Sequence, residues 1–539
     1  MRRLILVMAS KSSAAMLMRT MDVSKFTRRL LRGVLARVRP LIASVWLLVF
    51  GLVGAVTLPA AVRPPNVLFI VADDLRVELG AYGDTEVISP HLDALAARGV
   101  LFNRAYCQQA VCNPSRASVL TGRRPDSIQV WDLVTRFRET SPDVVTLPEH
   151  FRKNGYVTRG VGKIFHNEVK VDPKRVPMSD PASWSSPTTY ASGAHWQDWV
   201  VPGDPSGPKQ KGDAVQALDV PDDAYFDGRI AAEACHALRT LKQQEAPFFL
   251  AVGFWKPHLP FNAPKRYWDL YDRSRLAPPR DPDWPKGAPD LARHPSRELR
   301  GYGGIPKSGP LTDAQVMELR HGYYAGITFL DAMVGRVLAE LEEQGLAENT
   351  IVVFWSDHGF HLGDRDLWAK TSNYELDARV PLIVAAPGRM QAGRKSDAIV
   401  ELLDLYPTLV DLAGLPAAAG LEGISFAPVL ADPELPGKSV ALTQHPHPFY
   451  AGRWTTMGYA VRSERYRYIE WRSRETGEVV ARELYDHRRD PGETINRSAE
   501  PGYGDVTSEL ALLAQRHHKL DTMTLSRVLL PAWNPKASR

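Results

Sequence analysis

Three short segments carry side chains whose types can do chemistry together. Asp73-Asp74 follows the apolar run NVLFIVA at 66–72, and Asp357-His358 follows a second run at 350–355. In α/β sheets, functional side chains collect beyond the carboxyl ends of strands. Two pairs of oxygen and nitrogen donors at such ends can converge on one cation, and mostly carboxylate oxygen suits a hard ion such as Ca²⁺ or Mg²⁺. An Asp-Asp pair after a strand also serves as a turn or helix cap. The third segment is Cys112-Asn113-Pro114-Ser115-Arg116, continuing through Ala117 to Gly122. It sets a cysteine just before a Pro-Ser helix start, where the helix dipole and free N–H groups favour anions. Arg116 adds a bidentate donor for a tetrahedral oxyanion. Residue types alone leave two readings: an activated thiol facing phosphate or sulfate, or a buried cysteine near a capped helix.

The elements that must position these groups read as an α/β layered sheet. Continuous apolar runs at 66–72 and 247–254 have the character of strands buried in a parallel sheet, with further strands at 100–105, 157–161, 350–355 and 380–386. Helical spacing marks 91–98, which Gly99 ends, then 116–122, 227–244 and 313–344. Alternation of strands and helices argues for a sheet with helices layered on it. Two irregular excursions interrupt it, 170–225 and about 277–310. Beyond the Pro433, Pro436 and Gly437 cluster the pattern changes to short strands at 457–461, 466–471 and 483–485, with a helix near 506–517. This predicts a catalytic domain over 63–435 and a smaller antiparallel-sheet subdomain over 436–539.

Composition narrows the classes. Among 539 residues, 44% are hydrophobic and 24% charged, which excludes a disordered, collagenous or many-pass membrane chain. Of the formal +5, residues 1–40 supply +9 (ten Lys/Arg against Asp22) and the rest −4, so no nucleic-acid partner is implied. The basic run precedes an uncharged stretch at 41–62 ending in Pro59-Ala60-Ala61. Residues 1–62 therefore read as a signal peptide cut near Ala60 or Ala61, or as an uncleaved membrane anchor. Either places the globular part outside the cytoplasm. Three cysteines are too few for a disulfide scaffold, and Cys107 and Cys235 are read as a disulfide or as buried thiols.

The segment C-x-P-S-R-x-x-x-L-T-G at 112–122 resembles the signature of the type I sulfatases. NVLFIVADDLR, NGYVTRGVGKIFH, PFFLAVGFWKPHLPF, WAKTSNYELDARVPLI and MGYAVRSERYRY are similar to the iduronate-2-sulfatase branch, while the second excursion resembles it least. The resemblance implies an alkaline-phosphatase-like large mixed sheet sandwiched by helices. It implies that a formylglycine-generating enzyme converts Cys112 to formylglycine. The hydrated aldehyde has one hydroxyl to attack sulfur and a second whose deprotonation expels sulfate; a serine would stall as a stable ester.

By motif, the resemblance assigns Asp73, Asp74, Asp357, His358 and the modified Cys112 to a divalent cation, with calcium the family's usual ion. His358 stands where many sulfatases carry Asn. Arg116 and Lys163 would sit beside the nucleophile, with His166 as candidate base. His258 and Lys370 would contact the sulfate and protonate the departing oxygen. A sulfated carbohydrate is implied, with a 2-O-sulfated uronate first. Trp255, Trp368, Tyr374, Trp196 and Trp199 are candidate sugar platforms, and Lys256 or His258 a partner for a carboxylate. Two other readings stand beside this one. A phosphate or phosphonate monoester hydrolase would share the sheet, but the ligand set serves one cation rather than two. A glycan-binding protein with a dead site would show a broken motif, and here it is complete.

Overall fold

Side chains along a strand alternate between its faces, and the first strand shows what that alternation builds. In Asn66–Asp73, Leu68, Ile70 and Ala72 enter one apolar cluster while Val67, Phe69 and Val71 enter another. A strand apolar throughout is one covered on both faces. The computed structural model describes residues 63–166, 179–189, 212–449 and 454–519. The N-terminal segment 1–62, Trp196 and Trp199 lie outside the described residues. Among those described, no helix is long and apolar enough to cross a membrane.

The main sheet has eight strands. Asn66–Asp73 lies at its centre, parallel to Phe248–Pro257 on one side and to Thr350–Ser356 on the other. Val157–Gly162 continues the parallel set beyond Phe248–Pro257. Leu382–Ala385 runs antiparallel between Thr350–Ser356 and Val100–Tyr106, so the sheet is mixed. The expected single strand at 380–386 is two, Arg379–Val380 and Leu382–Ala385. Pro381 separates them because it has no N–H for the ladder. Helices Phe226–Lys242 and Asp313–Glu343 cover one face, and Cys112–Thr121 and Leu405–Leu412 the other.

The helix expected at 116–122 instead begins at Cys112. Pro114 falls in its first turn, where N–H groups have no intrahelical acceptor, so its missing N–H costs nothing. The excursion at 277–310 contains only short helical pieces, Asp290–Ala292 and Arg297–Arg300. Within the first excursion, Val215–Leu218 pairs in parallel with Phe261–Pro264.

A second, four-stranded antiparallel sheet runs Val440–His447, Thr456–Ser463, Tyr466–Ser473, Val479–Asp486. Its first strand was not evident in the sequence because Pro446 sits in it; the strand is an edge, where proline is tolerated. One face packs against Leu510 and Ala514 of the helix Gly504–Lys519 and Tyr503 just before it. The other sets Ile469, Trp471 and Tyr485 against Leu367 and Tyr374, so it braces the segment that carries Lys370.

Glu493 ties this brace together. Its carboxylate forms an ion pair with Arg467, 2.8 Å from Nε, and accepts from His487 Nε2 at 3.0 Å, the Glu375 N–H at 3.0 Å and Arg365 at 3.2 Å. Burial works to raise its pKa, but Arg467 and the other partners hold it at about 2, below its ordinary 4.5. A carboxyl depressed on folding stabilises fully above its unfolded value and loses that contribution as pH falls toward its folded value. Glu493→Gln is therefore expected to cost about 3 kcal/mol at neutral pH. Urea melts should show the gap to wild type shrinking as pH drops from about 5 toward 2.

Candidate active site

The two strand ends converge as their register requires. Ala72 pairs with Ser356, which brings Asp73-Asp74 beside Asp357-His358. Asp74 has φ +66°, a left-handed backbone, and its N–H donates to Asp357 Oδ1 at 3.2 Å. Tyr323 Oη fixes this turn by donating to the Asp74 carbonyl at 2.7 Å. Asp73, Cys112, Asp357 and His358 each offer one ligand atom, all within 4.8 Å of one another and all buried. Asp74 stands beside them, 3.4 Å from His358 Nε2, and forms a second close group with Cys112 and His258. His358 Nδ1 faces the Gly359 carbonyl at 3.0 Å, so that nitrogen carries the proton and Nε2 is left with a free lone pair. Three carboxylates and one imidazole lone pair fit a divalent cation with hard-ion preferences.

Basic groups surround the acids. Arg116 Nε donates to Asp357 Oδ2 at 2.8 Å, and its Nη1 bonds the Lys163 and Ile164 carbonyls. Arg116 Nη2 is buried 3.4 Å from Asp73 Oδ1, with no hydrogen bond among the described residues. Lys163 Nζ pairs with Asp73 Oδ2 and lies 4.6 Å from the centre of a Trp255 ring. Gly162 makes this placement feasible. At φ +77° a Cβ there would lie 2.0 Å from the Gly253 carbonyl, the same oxygen that accepts the Lys163 N–H at 2.8 Å.

Electrostatics follow from this packing. Burial works to raise the Asp73 carboxyl, but Lys163, His258 and Arg116 hold it well below the usual range. Asp74 is raised to about 7 by burial, reinforced by Asp73 and Glu298, against the pull of Lys370 and His358. Burial and Asp73 push the Cys112 thiol well above its ordinary value despite Lys163 and Lys370. Cys112 Sγ lies 3.4 Å from Asp73 Oδ1 and 3.3 Å from His358 Nε2.

On the opposite side stand Lys370, His258 and a residue that sequence reasoning missed, Glu298. Lys370 Nζ donates to Asp74 at 2.9 and 3.0 Å and to Glu298 Oε1 at 2.8 Å. His258 Nε2 lies 3.1 Å from the same Glu298 oxygen, and its Nδ1 faces the Leu259 carbonyl. With an oxygen at each ring nitrogen, both bonds form only if His258 carries two protons. Burial and the charge of Lys370 lower its pKa below the ordinary value, and Asp73 and Glu298 offset only part of that. Glu298 comes from the irregular 277–310 excursion, inside Ser-Arg-Glu-Leu-Arg at 296–300, where one acid among arginines reads as solvated surface.

Of the remaining expected residues, His166 stays beside the site, next to the Cys112–Thr121 helix. His166 lines a cavity of about 270 Å³ with Asn113, Ala117, Phe137, Phe165 and Asp180. Its Nδ1 is buried with no hydrogen bond among the described residues, and burial with nearby Lys163 pushes its pKa well down. Trp368 is 5% exposed, packs in the main core and opens a two-residue strand that leads directly into Lys370. Trp255 is buried beneath Lys163, and Tyr374 Oη donates to Glu483 at 2.8 Å inside the second core. Lys256 Nζ is bound to the His258 and Pro260 carbonyls, shaping the loop that presents His258. Cys107 and Cys235 are separate buried thiols.

Comparison with known proteins gives the same frame. The Sulfatase family model matches residues 65–415, and a second model, N-sulphoglucosamine sulphohydrolase C-terminal, matches 363–519. The chain is 34% identical over 510 residues to iduronate 2-sulfatase of Homo sapiens, covering 82% of this chain and 92% of that protein. A solved structure described as a 2-O GAG sulfatase superposes with a TM-score of 0.65 at 25% identity, covering 88% of this chain and 96% of the other. The phosphonate monoester hydrolase of Agrobacterium radiobacter does so with a TM-score of 0.68 at 25% identity, covering 85% and 96%. With its family model spanning most of the described fold and a relative above 30% identity along nearly its whole length, this chain belongs to the sulfatase family and is a sulfatase.

Proposed function

We propose that this sulfatase hydrolyses a carbohydrate sulfate ester, with a 2-O-sulfated uronate as the leading substrate, using formylglycine made from Cys112. The observation that carries this reading is the position of Cys112. It opens a buried helix within 3.4 Å of Asp73 and His358, with Arg116 and Lys163 grouped around Asp73 beside it. The iduronate 2-sulfatase likeness supports the substrate class, and the basic N-terminal segment an extracytoplasmic location.

In this reading Asp73, Asp74, Asp357 and His358 hold a calcium ion. The cation and the aldehyde supply charge neutralisation and the nucleophile. The chain's own residues do the rest. Arg116 Nη2 and Lys163 neutralise charge around the nucleophile, and the neutral His166 accepts the proton released when sulfate is expelled. His258 and Lys370 bind the sulfate oxygens and deliver a proton to the departing sugar oxygen. Glu298 positions both and favours the protonated form of His258.

The reading is tested by kcat/KM on a 2-O-sulfated uronate disaccharide and on matched aryl sulfate and aryl phosphate. Sulfate is expected to exceed phosphate by about a hundredfold or more, the size of one well-placed electrostatic discrimination. A preference for phosphate would instead give the reading its phosphonate-hydrolase neighbour favours.

Leaving-group dependence tests the Glu298 role. A sugar alkoxide needs a proton to depart, whereas 4-nitrophenolate does not. Glu298→Gln should lower kcat on the sugar sulfate by about 10²-fold and on 4-nitrophenyl sulfate far less. Equal losses on the two would reduce Glu298 to a packing residue.

A further inference from the structure

Beside the site, segment 291–297 and the end of strand Val440–His447 enclose a cavity of about 60 Å³. His294, Arg297, His445 and His447 line it together with Phe449 and Trp471. It shares walls with the active site: Thr371 lines it and follows Lys370, while Arg297 lines it and precedes Glu298. No carboxylate is in the lining. The nearest are turned elsewhere, Glu298 to Lys370 and His258, and Asp377 to His361 and Ser372.

The polar groups here want an acceptor. The Ser296 N–H donates to His294 Nδ1 at 3.2 Å, so in the neutral ring the proton sits on Nε2. Burial holds the pKa at about 4, which keeps the ring neutral at ordinary pH. That Nε2–H is sealed from solvent and meets no acceptor among the described residues, a state that ordinarily costs stability. His445, 3% exposed, also has a buried Nδ1 without a partner there. Arg297 stands exposed at the rim and forms no ion pair with any described residue. A volume equal to about two waters holds a compact charged head but not a pyranose ring.

We propose that this cavity binds a second oxyanion, a carboxylate or a sulfate, carried by the same glycan whose ester is cleaved beside Cys112. The proposal rests on the carbohydrate-sulfatase reading above. Arg297 supplies the charge and His294 Nε2–H a directed hydrogen bond, so the cavity would select chains bearing a second anion.

The test uses the full enzyme and three disaccharides that share one scissile ester but whose neighbouring group is neutral, a carboxylate or a sulfate. Arg297→Ala is chosen because its side chain makes no ion pair whose loss would disturb folding. It should lower the charged-over-neutral ratio of kcat/KM about tenfold, with Arg297→Lys restoring part of it. The charged substrate that loses its advantage identifies the anion. An unmoved ratio would overturn the proposal. Calorimetric Kd values for the desulfated charged disaccharides, in wild type and Arg297→Ala, read the cavity without catalysis. Arg297-dependent binding without turnover of any sugar ester would remove the functional reading and keep the cavity. Turnover with binding indifferent to Arg297 would do the reverse.

Discussion

Three carboxylates sealed from water within reach of one another cannot persist unless cations compensate them, and the site is organised around that constraint. Asp73, Asp74 and Asp357 are fully buried, and each has a basic partner from a distant part of the chain. Lys163 follows the strand Val157–Gly162, Arg116 rises from the helix Cys112–Thr121, and Lys370 comes from the loop after Thr350–Ser356. Removing one member of a buried pair typically costs about 3–5 kcal/mol, so the charges that neutralise the acids also lock four elements together. The same arrangement gathers Asp73, Cys112, Asp357 and His358 into one buried, strongly charged pocket. Stability and chemistry draw on one set of residues.

The second sheet contributes at one remove. Lys370 sits in a segment where Ala369 and Thr371 have φ +72° and +88°, conformations that hold only when the surroundings over-determine them. Arg467 donates to the Asn373 carbonyl at 2.8 Å and Tyr374 to Glu483, fixing that segment from the second sheet. Its edge strand then supplies His445 and His447 to the wall beside the site. One antiparallel sheet therefore both fixes the segment that carries Lys370 and walls the cavity beside it.

Much of this was legible from the sequence, for identifiable reasons. Apolar runs ending in acids announce strand ends, and strand ends are where α/β chemistry collects, so Asp73, Asp74, Asp357 and His358 were found as a set. The Cys112 segment is eleven residues of restricted type and needed no structure to stand out. Other features have no local signature. Glu298 is one acid among arginines in an irregular segment, and only folding brings it to Lys370 and His258. The burial of Trp368 has no local signature either: a tryptophan in an irregular segment can face solvent or core, and only folding packs it in the core beside Lys370. Pro381 and Pro446 altered strands in opposite senses, splitting one and hiding another, and which effect applies depends on whether the strand is an edge.

The central claim concerns Cys112. The most direct measurement is the mass of the tryptic peptide 105–116, prepared from the native host without alkylation. The expected mass is that of an aldehyde in place of the thiol. An intact cysteine in protein that hydrolyses sulfate esters would contradict it, because the nucleophile would then not be an aldehyde hydrate.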